Sequence, residues 1–168
     1  MQQEYSEVLP SIINSDQNGF IANRGANQNI RLIEDILRYS EKYNIKGAMI
    51  CIDFKKAFDT IKRDFIIYSL NKFNFGKGIM KWMSTMLHNT VSCVLHNGHM
   101  SAYFLQKVGL RQGCNLSPLL FVISAEIMAC RIRQSKLIHG IKLPLLDDNQ
   151  EVIISQFADE MKTQLQMY

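Results

Sequence analysis

The spacing of apolar residues changes period several times along the chain. Over residues 26 to 43 they recur at helical intervals, with Ile30, Ile33, Ile36 and Leu37 assigned to one face, and Asn44 and Gly47 close the segment. Residues 48 to 54 (Ala-Met-Ile-Cys-Ile-Asp-Phe) are a nearly continuous apolar run holding one acid, with the length and β-branched content of a buried strand. A helix is expected from about residue 60 to 72, with Phe65, Ile66 and Leu70 inward and Asp59 as its N-cap. A third spans about 79 to 88 and carries Trp82, Met83 and Met86. The period then shortens. Residues 91 to 96 and 102 to 108 read as strands flanking His96-Asn97-Gly98-His99, and Asn-Gly is a strong hairpin-turn signal. Ser117-Pro118 opens a long apolar helix to about residue 135, with Ser at the cap and Pro in the first turn. Residues 152 to 158 form a last strand, followed by Asp159-Glu160. Helices mixed with a few strands and one inserted hairpin predict an α+β fold, an antiparallel sheet with helices packed on one face.

Length and composition narrow the class. The 168 residues suit one domain, and 47% hydrophobic with 20% charged residues suffices for a core and excludes disordered or low-complexity chains. No internal repeat or linker appears. Cys51, Cys93, Cys114 and Cys130 stand apart with no Cys-x-x-Cys pair, which argues against a zinc ribbon or disulfide framework and for small core residues in a reducing compartment. The longest apolar stretch, residues 119 to 123, falls far short of the ~20 residues of a membrane span. The first residues lack the basic and apolar regions of a secretory signal.

Charge is uneven. The net charge is +4, but residues 42–81 hold nine Lys and Arg against three Asp, a basic zone that suits a polyanion or a solvated helix face. Between Leu143 and Met161 the pattern reverses: Asp147, Asp148, Glu151, Asp159 and Glu160 occur with no cation among them. Asp53 likewise lies at the end of an apolar run. If the two strands are neighbours, Asp53 and Asp159 meet at one edge of the sheet, and clustered acids of this kind either cap a wet turn or hold a divalent cation.

The words around these acids carry a resemblance. Asp53-Phe54-Lys55-Lys56-Ala57-Phe58-Asp59 resembles motif A of reverse transcriptases. Gly109-Leu110-Arg111-Gln112-Gly113-Cys114-Asn115-Leu116-Ser117-Pro118-Leu119-Leu120-Phe121 resembles motif B, and Gln156-Phe157-Ala158-Asp159-Glu160 resembles motif C. Upstream, residues 8 to 13, Asp16-Gln17-Asn18-Gly19-Phe20-Ile21 and Asn29-Ile30-Arg31 resemble the segment before motif A in LINE-type, non-LTR retrotransposon enzymes. Order and spacing agree over nearly the whole chain.

The resemblance implies a polymerase palm that copies RNA template into DNA by two-metal nucleotidyl transfer to a primer 3′-hydroxyl. It further implies a single partial domain, with residues 1–47 a helical segment on the fingers side (partial fingers) and 48–168 the palm. Asp53, Asp159 and Glu160 would be catalytic, holding two Mg²⁺ (or Mn²⁺) together with the main-chain carbonyl of Phe54. Phe58 would floor the sugar pocket and exclude a 2′-hydroxyl, the alternative being a plain core aromatic. Gln112 and Gly113 would border the incoming nucleotide. Lys55 and Lys56 are phosphate contacts or solvated lysines, and Arg111 contacts a phosphate or pairs with an acid. The partners implied are RNA template, DNA primer, deoxynucleoside triphosphates and the remaining polyprotein domains, with no membrane. Family members act at chromosomal DNA, yet no clear basic nuclear-import run is visible.

The chain departs from the family pattern in places. Glu160 stands where a second aspartate is usual, although family A DNA polymerases resemble this Asp-Glu version. Asn115 replaces a proline, and Asn23-Arg24-Gly25 reorders a Gly-Arg pair. Residues 161 to 168 are polar where the family has an apolar strand closing the hairpin. Thumb, endonuclease and the triphosphate-holding fingers are not recognisable. The expectation is therefore a truncated or decayed copy with doubtful activity alone, the alternative being an inactive palm that only binds nucleic acid or protein.

Overall fold

The computed structural model describes residues 8–143 and 151–166, the last four for the backbone only. The chain divides into two compact units, one built from the segments up to Phe54 and from Ala125 onward, the other from Lys55–Ser124.

In the first unit a helical turn over residues 8–12 leads into an irregular segment and then helix α1, Ala26–Lys42. The buried stripe of α1 is Asn29, Ile33 and Ile36, while Ile30 and Leu37 face outward. The helical period was legible, but the buried face is rotated toward Asn29, because that amide satisfies polar groups of the sheet. Its Nδ2 donates to Ser155 Oγ (2.7 Å) and to the Gln156 carbonyl (2.9 Å), and its Oδ1 accepts from Asn18 (2.8 Å).

Three antiparallel strands follow: β1, Gly47–Asp53, then β6, Ile154–Phe157, and β7, Glu160–Gln166, in the order β1-β7-β6. The polar residues after the acids do form the closing strand, and β7 takes the centre of the sheet. Backbone pairing on both edges, not apolar content, holds it there. β1 is consequently an edge strand. Met49, Ile50 and Cys51 are exposed, which corrects the expectation of a buried strand and of core cysteines at this position. Helix α5, Ser117–Arg133, covers the sheet through Ala129, Met128 and Ile132, which pack with Ile154, Met161, Ile52 and Phe54. Val152 bridges to Ile141 outside the named strands. Asp147 and Asp148 of the acidic run lie outside the described residues.

The second unit begins with a short helix, α2, Ala57–Thr60, followed by α3, Arg63–Lys72, and α4, Lys77–Leu87. Ile66 and Leu70 of α3 are fully buried, each contributing roughly 1.5–3 kcal/mol. Phe65, expected inward, is exposed; of the residues carried by α4, Trp82 and Met86 are exposed and Met83 is buried. Asp59 does not cap α3: it lies inside α2, and α3 begins after Lys62 with no side-chain cap. Four two-residue strands come next: β2, Val91–Ser92, β3, Leu95–His96, β4, His99–Met100, and β5, Phe104–Leu105. Asn97 and Gly98 both adopt positive φ, the conformation of the predicted two-residue turn. The ladder breaks where the Ser101 hydroxyl accepts the Val94 amide, which is why two longer strands become four short ones.

Candidate active site

The register of the first unit decides how the acids meet. β1 pairs with β7, so Asp53 lies directly opposite Glu160, not Asp159. Glu160 is also opposite Phe157 on β6. Asp159 falls in the two-residue turn, Ala158-Asp159, that joins β6 to β7. All three acids thus gather at one end of the sheet, and none of their carboxylates has a hydrogen-bond or ion-pair partner among the described residues. Like charges facing each other across strands are unfavourable, so this end of the sheet is held against its own electrostatics.

Phe54 follows Asp53 out of β1. Its side chain packs against the cluster of Ala129, Ile154 and Met161, so apolar packing anchors the backbone next to the first acid. As a donor set the residues fit a divalent cation: three hard, unpartnered carboxylates and an adjacent main-chain carbonyl. Among the described residues, however, no three His, Cys, Asp or Glu side chains converge on one point.

The turn itself is unusual. Ala158 has φ +56°, left-handed for a residue with a Cβ, a conformation that persists only when its surroundings hold it. Those surroundings are the segment around Gln17. Its amide oxygen accepts the Ala158 N–H (2.9 Å) and the Gly19 N–H (2.8 Å). Its amide nitrogen donates to Gln156 Oε1 (3.2 Å) and to the Ala158 carbonyl (3.3 Å). The sequence placed Gln17 in a segment resembling the family, Asp16 to Ile21, but carried no signal that it holds this turn.

A buried charged group supports the same segment. Arg133, near the end of α5, pairs with Asp16 (2.5 Å) and with Glu126, and Glu126 is almost fully buried. Burial raises the pKa of both carboxyls, against the lowering pull of Arg133. For Arg133 burial favours deprotonation, but the two acids outweigh it and raise its pKa. The Cys130 thiol beside them is also pushed up, by burial and then by Glu126. Arg24, whose position looked scrambled, donates to the carbonyls of Pro10, Ile13, Asn14 and Gln17 and so gathers the loop around itself.

In the second unit, Phe58 of α2 is half-buried and stacks on the buried Phe121 (centroids 4.6 Å apart, rings inclined 28°). Gln112 is exposed and donates to Asp59 Oδ1 (3.2 Å). Gly113 has φ +79° and open space where a Cβ would stand, so conformation rather than close approach calls for glycine there. Ser117 donates its hydroxyl to the Arg111 carbonyl (2.6 Å), tying the start of α5 to the preceding turn. The main chain joins the two motif regions of this unit: Leu110 N–H donates to the Phe58 carbonyl (2.7 Å) and Gly109 N–H to that of Ile61 (2.8 Å). Arg63 adds side-chain bonds to the carbonyls of Leu87 (2.7 Å) and Gly109 (3.3 Å). Lys55, Lys56 and Arg111 are exposed.

Comparison with known proteins gives one consistent answer. The reverse transcriptase (RNA-dependent DNA polymerase) family matches residues 1–163. The chain is 29% identical over 154 residues to the Transposon TX1 uncharacterized 149 kDa protein of Xenopus laevis, covering 92% of this chain and 12% of that protein. It is 30% identical over 115 residues to the Retrovirus-related Pol polyprotein from type-2 retrotransposable element R2DM of Drosophila melanogaster, covering 67% of this chain and 11% of that one. The chain thus spans about an eighth or less of these relatives' length. Among solved structures, apo telomerase from Candida tropicalis superposes over 98% of this chain and 32% of its own, with a TM-score of 0.65 at 13% identity. Telomerase from Candida albicans, solved with a fragment of telomeric RNA, matches equally well over 98% of this chain and 29% of its own. With nearly its whole length matched by the family and its sequence relatives among non-LTR retrotransposon polyproteins, the chain belongs to the reverse transcriptases as a partial domain of the LINE type.

Proposed function

We propose that this chain is the palm, with part of the fingers, of an RNA-directed DNA polymerase encoded by a retrotransposon polyprotein. One observation carries the reading: β1–β7 pairing sets Asp53 opposite Glu160 with Asp159 one residue away in the turn. Acids facing one another across strands repel, and a bound divalent cation would neutralise them. Reverse transcriptases work with divalent metals, and Asp53, Asp159, Glu160 and the Phe54 carbonyl are the groups that would hold two Mg²⁺ here. Bound there, the ions would activate the primer 3′-hydroxyl and stabilise the departing pyrophosphate.

The other residues act on the substrates. Phe58, braced by Phe121, would be the rigid ring that leaves no room for a 2′-hydroxyl. Gln112, oriented by Asp59, can both donate to and accept from a nucleotide. The partners on this reading are RNA template, DNA primer, deoxynucleoside triphosphates and the other polyprotein domains, with the basic residues of 42–81 supplying phosphate contacts. Replacing Phe58 by Ala is expected to improve incorporation of ribonucleotides relative to deoxynucleotides by roughly tenfold or more, read by competing the two in primer extension. An unchanged ratio would make Phe58 a core aromatic.

A second reading, an inactive palm that binds nucleic acid or protein, is favoured by Glu160 and by the lack of a converged three-acid site among the described residues. A Mn²⁺ titration followed by electron paramagnetic resonance separates the two. The polymerase reading expects a site in the wild-type chain that Asp159→Ala removes. No such site, with RNA–DNA duplex bound equally well in chelator, supports the binding module instead.

A further inference from the structure

We propose that Gln17 is the positioning residue of the catalytic turn. The inference rests on the polymerase reading of Asp159 and assigns the group that aims it. A side-chain amide offers two donors and two acceptor directions, and Gln17 uses all four, fully buried at 0% exposure. Two of those bonds go to the N–H and the carbonyl of a single residue, Ala158. Gripping both ends of one peptide residue fixes its φ and ψ, and Ala158 is the residue held at φ +56° immediately before Asp159. Without the grip, an alanine relaxes toward negative φ, and the direction in which the chain delivers Asp159 turns with it.

The glutamine is itself anchored on both sides. Its neighbours run alongside β6 as a short parallel bridge: Gln156 N–H donates to the Asp16 carbonyl (2.8 Å), and Asn18 N–H donates to the Gln156 carbonyl (2.9 Å). Asp16 is pinned by Arg133. Gly19 lies so close to the turn that a Cβ there would overlap the main-chain nitrogen of Ala158. The turn is therefore gripped by Gln17 and backed by Gly19, both from a segment some 140 residues away in sequence, and neither residue touches the acids' own oxygens. This is an outer layer of the metal site, whose loss typically weakens metal affinity 10–100-fold while leaving the ligands in place.

The test measures Mn²⁺ affinity of the 168-residue chain by electron paramagnetic resonance, beside melting in chelator. Gln17→Met keeps the volume and removes the grip; Gly19→Ala pushes the turn from the other side. Ile36→Ala, a buried truncation in α1, serves as a control for lost stability. Both loop variants are expected to bind Mn²⁺ at least tenfold more weakly than wild type, whereas Ile36→Ala binds as wild type despite its lower melting temperature. If Gln17→Met fails to fold, Gly19→Ala carries the comparison. A wild-type site lost in Asp159→Ala but kept in the folded loop variants would overturn the clamp alone. No site in wild type would overturn the metal reading, and the clamp with it.

Discussion

Changing Asp53 to Asn is expected to lower RNA-templated primer extension by about a thousandfold while leaving the fold intact. The two side chains have nearly the same shape, so packing is unaffected; what disappears is one hard anionic donor. If metal-assisted stabilisation of the transition state supplies ~4 kcal/mol through this ligand, the loss is about three powers of ten. The same change should not cost stability. Asp53 faces Glu160 across β1 and β7, and neither carboxylate has a partner among the described residues, so neutralising one acid removes a like-charge pair worth a few tenths of a kcal/mol. Melting in chelator is expected at or slightly above the wild-type temperature. Activity that falls together with stability would mean that Asp53 holds the sheet and not a cation. Activity within a few-fold of wild type would remove it from the chemistry.

The largest effect on folding is expected at Arg133. Its guanidinium serves Asp16 and the buried Glu126 together, and one oxygen of each carboxylate, Asp16 Oδ1 and Glu126 Oε2, is buried without a hydrogen-bond partner. Arg133→Met fills similar space but leaves two acids uncompensated, which typically costs 3–5 kcal/mol. The loss depends on pH in a definite direction. Burial raises both folded-state pKa values above the ordinary 3.8 and 4.5, so the folded chain holds these protons more tightly than the unfolded one. Their contribution is complete below those ordinary values and is lost as pH rises through the raised ones. Without Arg133 the lowering influence is gone, and the raised values climb further. Urea denaturation should therefore show the variant most destabilised near pH 7–8 and closest to wild type near pH 4. A pH-independent difference would mean that Arg133 contributes packing alone.

These two expectations separate cleanly because they concern different parts of one unit. The acids at the end of the sheet are exposed or half-buried and unpaired, so changing them alters what can bind. The Arg133 cluster is paired and built around the buried Glu126, so changing it alters whether the segment carrying Gln17 stays in place. The Asp16–Gln156 backbone bond links the two, which makes loss of Arg133 a second route to a misplaced turn.

Much was legible from local pattern. The helix over 26–42, the Asn-Gly hairpin and the start of α5 at Ser117 followed from spacing and turn chemistry, because those signals act between residues a few positions apart. The three motifs likewise identified the family from contiguous words. Which faces are buried was less legible: Ile30, Leu37, Phe65 and Trp82 are exposed, while Asn29, Gln17 and Glu126 are buried. An apolar side chain marks a helix face, but a buried amide or acid is stabilised only by partners that the chain brings from far away.

The sequence by itself determined that acids end apolar runs, that the words around Phe58 and Gln112 resemble family motifs, and that the chain belongs to the reverse transcriptase family. Only the tertiary structure decided that Glu160, not Asp159, lies across from Asp53, since register follows from β7 entering the sheet between β1 and β6. It also decided that a polar tail is the central strand, and that a loop glutamine holds the turn before Asp159. Backbone hydrogen bonds are indifferent to side-chain identity, and long-range amide contacts leave no periodic trace, so neither could be read along the chain.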